Sequence, residues 1–196
     1  MRRLAVLPLA LVICAACSEP PQKEIGRAQG AIDAARAAGA EQYATEAFIA
    51  ATSALQQAHD AVEQRDYRLA LSRAVDASER GQEAAREAAD GKAAARSRSE
   101  ATVAATAASL ERLQARIKAA EAARVTAKDL QAVRRAASGA DSVLQKARAE
   151  IQGGKYVEAS ESLKGVRSGI EAQIRAVDQI IEARPSRPAR RRGPRE

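Results

Sequence analysis

Apolar positions recur at steps of three and four over most of this chain, the spacing that lines one face of an α-helix. Phe48, Ala51, Leu55, Ala58 and Val62 make one stripe, and Leu130, Val133, Ala137, Ala140, Leu144, Ala147 and Ile151 a second. Tyr156, Ala159, Leu163, Val166 and Ile170 make a third, which Ile174, Val177 and Ile181 continue after a four-residue stutter. These stripes read as the seams of antiparallel, coiled-coil-like helices. Pro21 and Pro185 bracket 163 residues without a proline, the residue that helix interiors exclude most strongly.

The breaks between stripes are also written in residue types. Gly39 ends a first helix from about Lys23 to Ala38. Arg65-Asp66 separates the second helix from the third, with Asp66 as N-cap. Thr126-Ala127-Lys128-Asp129 fits a capping box, and Val125 and Leu130 sit at the spacing of a hydrophobic staple. Gly153-Gly154 ends the fourth helix, and a fifth runs from about Lys155 to Ala183. Asp90-Gly91 and the box-like Ser97-Arg98-Ser99-Glu100 offer a possible break. The apolar stripe drifts there without stopping, so one helix from about Tyr67 to Ala123, roughly 85 Å long, is preferred. The expected fold is therefore all-α. It is an elongated antiparallel helical bundle of about five helices, in two three-helix units (23–96 and 97–183) sharing a long central helix.

The chain echoes itself at an offset of 89 residues. Leu55, Ala58, Val62, Tyr67 and Ala70 match Leu144, Ala147, Ile151, Tyr156 and Ala159. Duplication of a helical hairpin and convergence of two alanine-rich hairpins both account for this. Arg65-Asp66-Tyr67-x-x-Ala70 resembles the Gly-Asp-Tyr-x-x-Ala signature of small, alanine-rich bacterial envelope lipoproteins of unknown function, with Arg65 in place of Gly. Tyr43-Ala44-Thr45 resembles their Tyr-Ala-Pro, with Thr45 in place of Pro. Gly154-Lys155-Tyr156-x-x-Ala159 is similar to the first helix of tetratricopeptide repeats, without their 34-residue period. Either resemblance implies a helical interaction surface and neither implies a reaction.

Composition narrows the core. Alanine supplies 50 residues, there is no Trp, and the aromatics are Phe48, Tyr43, Tyr67 and Tyr156. Alanine favours helix but buries little surface, so a thin core of close helix contacts is expected. The net charge of +7 is a terminal property: residues 4–183 hold 24 basic and 24 acidic side chains. Positive charge concentrates in a Pro-rich tail, residues 184–196, through Arg184, Arg187, Arg190, Arg191, Arg192 and Arg195. Its composition is that of a disordered segment, either solvated or engaged with an anionic surface.

The opposite end carries an address. Met1-Arg2-Arg3 precedes an apolar run from Leu4 to Ile13 and then Cys14-Ala15-Ala16-Cys17, the layout of an export signal. That run is too short to span a bilayer, which takes about 20 apolar residues. The pattern resembles the bacterial lipobox, although Cys14 stands where that motif usually has Leu. The resemblance implies loss of residues 1–16, acylation of Cys17 and a short tether over 17–22. An ordinary secretory signal cut after Ala16 is the alternative. Asp after the cysteine commonly marks inner-membrane retention in such lipoproteins. Ser18 here implies a periplasm-facing protein held by the outer membrane more readily than the inner.

Candidate chemistry is sparse. His59 neighbours Asp60 and has Glu63 four residues on, but seam contacts of that helix fall to Leu55, Ala58 and Val62, which leaves His59 on or beside the surface. Tyr67 and Tyr156 open helices, where packing into the hairpin turn is favoured over ligand stacking. No phosphate-cradling loop, nucleophile elbow or metalloprotease motif occurs, and no cofactor or metal site is expected. The expectation is a non-enzymatic, membrane-anchored periplasmic lipoprotein acting as scaffold or tether. Its partners would be the membrane through Cys17 and an unknown envelope protein or anionic polymer, with no nucleic acid. The alternative is a binding module that takes an anionic envelope polymer through the basic tail.

Overall fold

Alanine-rich stripes with few breakers leave the backbone one economical way to satisfy its hydrogen bonds, and it takes it. The computed structural model describes residues 19–183, and every regular element among them is α-helical. Helices α1 (Gln22–Ala38), α2 (Ala40–Tyr43) and α3 (Thr45–Glu63) precede the long α4 (Tyr67–Ala122). Helices α5 (Gln131–Gln152), α6 (Tyr156–Ser162) and α7 (Val166–Glu182) follow it. The chain divides into two compact units between Asp90 and Gly91. Unit 1 holds α1–α3 and the first part of α4; unit 2 holds the rest of α4 with α5–α7. The all-α bundle of helical units sharing a long central helix is what the stripes predict.

Helix α4 is 56 residues long and unbroken through Asp90–Ser99, which settles the ambiguous stretch in favour of continuity. Among the described residues seven helices replace the expected five, for two local reasons. Ala44 leaves the helical region at φ −144°, which parts the short α2 from α3. Gly165 adopts a left-handed φ of 77°, which parts α6 from α7 where one helix was expected.

The two hairpin turns share one geometry, position for position. The Arg65 N–H donates to Val62 O (2.9 Å) and the Asp66 N–H to Ala61 O (2.9 Å). At the offset of 89, the Gly154 N–H donates to Ile151 O (3.0 Å) and the Lys155 N–H to Glu150 O (2.8 Å). This pair of bonds closes a helix on a left-handed residue. Gly154 takes that conformation (φ 75°), and so does Arg65 (φ 58°). Arg65 thus occupies the conformation for which glycine is best suited. Asp66 is the N-cap the sequence implies, accepting the Leu69 N–H at Oδ1 (3.0 Å). Thr126 Oγ1 accepts the Asp129 N–H (3.3 Å), but regular helix begins only at Gln131, so this cap closes a turn ahead of α5. Val125 and Leu130 are both buried.

The two cores are built differently. Unit 1 buries Ile25, Ile32, Phe48 and Leu55 among eleven alanines. Its helices approach closely: a Cβ on Gly81 of α4 would lie 2.9 Å from Ala31 Cβ and 3.0 Å from Ala31 C on α1. Unit 2 buries Leu110, Leu113, Ile117, Leu130, Leu144, Leu163, Ile170 and Val177 with four alanines. Fully burying a Leu or Ile side chain contributes about 1.5–3 kcal/mol, several times what an alanine methyl supplies.

Candidate functional site

Among the described residues, none of the side chains singled out for chemistry makes a polar contact with another. His59 is exposed on α3, and its side chain makes no hydrogen bond or ion pair among the described residues. Its neighbour Asp60 is engaged elsewhere, accepting from Gln56 Nε2 (2.9 Å). Tyr67 and Tyr156 are half-buried at equivalent places, opening α4 and α6. Among the described residues no group of three or more His, Cys, Asp and Glu is placed to hold a metal ion. Cys17 and the arginines of the tail, Arg184 to Arg195, lie outside the described residues.

Polar contacts across helices are concentrated in unit 2. Glu171 Oε1 on α7 accepts from Arg112 Nη2 (2.6 Å) and Ser109 Oγ (3.2 Å) on α4. Seven residues along α7, Asp178 pairs with Arg116 (3.5 Å), four residues along α4. The two helices therefore run parallel within the unit, and their C-terminal ends lie together. Arg134 Nη2, near the start of α5, donates to Glu121 Oε1 (2.6 Å), near the end of α4. Exposed pairs of this kind contribute under about 1 kcal/mol each, so their value here is positional. They gather the end of α4, the following loop, the start of α5 and the end of α7 at one end of unit 2. Elsewhere in the unit, the Arg96 guanidinium is raised above its ordinary pKa, first by its hydrogen bond to Glu100 and then by that carboxylate's charge.

That end is basic. Residues 116–135 hold Arg116, Lys118, Arg124, Lys128, Arg134 and Arg135 against only Glu121 and Asp129. Arg116 and Arg134 have carboxylate partners. Lys118, Arg124, Lys128 and Arg135 are exposed and have no carboxylate partner among the described residues. Lys128, Arg134 and Arg135 border one shallow depression with Ala127, Gln131 and Ser138. The apparent neutrality of the body conceals the wider asymmetry. Residues 19–90 hold 8 basic and 13 acidic side chains, and residues 91–183 hold 16 and 11. Unit 1 is therefore at −5 and unit 2 at +5. A whole-chain sum cancels this; counting charge by helical unit is the signal that reveals it.

Unit 2 also contains an apolar cleft of about 240 Å³ lined by Leu113, Ala140, Val143, Val166 and Ile170, with Gly139 and Gly169 at its wall. A Cβ on either glycine would meet nothing within 4 Å. The chain matches no protein-family model, no curated protein and no solved structure. Among the described residues no helix is long and apolar enough to cross a membrane.

Proposed function

We propose that this chain is a lipid-anchored protein of the bacterial cell envelope, facing the periplasm and serving as a non-enzymatic scaffold or tether. The observation that carries the reading is the leader. A charged start and an apolar run too short to span a bilayer lead to Cys17 behind two small residues, with a stiff Pro20-Pro21 tether beyond. Acylation at more than one position would hold the protein stably, because each buried methylene adds about 0.8 kcal/mol. Two helical units that present exposed polar faces are consistent with binding. The Ser that follows Cys17 favours the outer membrane over the inner. A second reading, capture of an anionic envelope polymer by the tail arginines Arg184 to Arg195, rests on their charge.

Photo-crosslinking residues placed along exposed positions of α3, α5 and α7 in living cells test this. Adducts with envelope components are expected. Adducts confined to cytoplasmic proteins would refute the assignment. Deleting residues 184–196 separates the two readings: partner recovery that survives the deletion and high salt rules out polymer capture by the tail.

A further inference from the structure

We infer that the basic end of unit 2 is a docking surface for an anionic lipid headgroup layer, an inference that rests on the envelope reading and assigns the contact to residues of the folded unit. Three observations converge. Arg124, Lys128 and Arg135 are exposed on the α4–α5 loop and the first turns of α5, without carboxylate partners among the described residues. The parallel course of α4 and α7, shown by the Arg112–Glu171 and Arg116–Asp178 pairs, brings Ala183 to the same end. From Ala183 the sequence continues directly into six further arginines and one glutamate. The free cations of the folded unit thus lie at the end from which residues 184–196, outside the described residues, continue in sequence.

The occupant follows from what accompanies the charge. Protein partners are typically held by buried aromatic or arginine anchors in well-packed pockets, and single-stranded nucleic acid by aromatic stacking. This end carries dispersed cations around a shallow depression, and residues 116–135 and 184–196 contain no aromatic side chain. A layer of phosphate headgroups requires only charge, and guanidinium forks match phosphate oxygens. Unit 1, at −5, is repelled by the same layer, so the attraction belongs to unit 2.

The test uses the full chain with Cys17→Ser, so its outcome is independent of whether the natural chain is acylated. Sedimentation is compared with vesicles of phosphatidylcholine alone and with about one third phosphatidylglycerol, at low and at physiological salt. Comparing variants in this background cancels the constant contribution of the leader. Preferential, salt-sensitive binding to the anionic vesicles is expected. Each cation close to anionic lipid contributes roughly fivefold, so Arg124→Gln/Lys128→Gln/Arg135→Gln should weaken binding by at least about tenfold with the tail intact. All three side chains are exposed, and an unchanged circular dichroism spectrum verifies the fold. Equal binding to both vesicle types would overturn the inference. So would a triple variant that binds like its parent, which leaves the tail alone responsible. Binding to poly-glutamate without vesicle binding would overturn it in favour of an acidic polypeptide. Salt-sensitive self-association without vesicle binding would overturn it in favour of the acidic unit of a second copy.

Discussion

Unit 1 and unit 2 repeat the same turn and present the same hairpin phase, yet they solve core packing in opposite ways. Unit 1 packs alanine against alanine and brings Gly81 onto the backbone of α1. Unit 2 fills its core with Leu, Ile and Val and leaves a cleft beside Gly139 and Gly169. Small residues close a helix pair only where both partners are small; opposite large side chains they leave space. Net charge differs as sharply, −5 against +5. Equivalent positions follow the divergence. Ile49, Leu69, Leu71 and Val75 are exposed apolar residues of unit 1, and their counterparts 89 residues on are Ser138, Glu158, Ser160 and Lys164.

The largest effect is expected at a large buried side chain of unit 2. Leu144→Ala removes a buried Leu and is expected to cost about 2–5 kcal/mol. Hydrogen exchange should place the loss in α5–α7 and leave α1–α3 protected; a loss confined to α1–α3 would contradict independent cores. Next in size is Gly81→Ala. Its new methyl meets the α1 backbone, so a destabilisation of about 1–3 kcal/mol in denaturant titration is expected, despite the better helix propensity of alanine.

A smaller effect of opposite sign tests the looser unit. Thr106 is buried, and its hydroxyl has no hydrogen-bond partner among the described residues. Thr106→Val should therefore stabilise by about 1 kcal/mol, read as a higher midpoint of chemical unfolding. Gly139→Ala places a methyl where nothing lies within 4 Å, on a helical residue. A gain of about 0.5–1 kcal/mol is expected. The same substitution at Gly81 and Gly139 thus has opposite signs, and equal signs would erase the distinction between the two cores.

Much of this architecture was legible because helix phase and turn chemistry are local. Asp66 caps α4 and Gly154 takes the left-handed position, both as residue type dictates. The break at Gly165 was hidden because Leu163, Val166 and Ile170 keep the step of three and four straight across it. The periodic stripe cannot register a turn that preserves its phase. Close packing at Gly81 was equally silent, since a glycine inside a helical run does not reveal what faces it. The candidate site was less legible than the fold. Residue inventory marks His59 as solitary, but the free cations Arg124, Lys128 and Arg135 emerge only when ion pairs are assigned and charge is counted by unit.

The proposed lipoprotein leader makes a covalent commitment. Mass spectrometry of the N-terminal peptide from protein recovered from bacterial membranes tests it most directly. A mature chain that begins at Cys17 and carries acyl chains on that residue is expected. A chain that begins at unmodified Cys17, or that retains Met1, would contradict lipid anchoring.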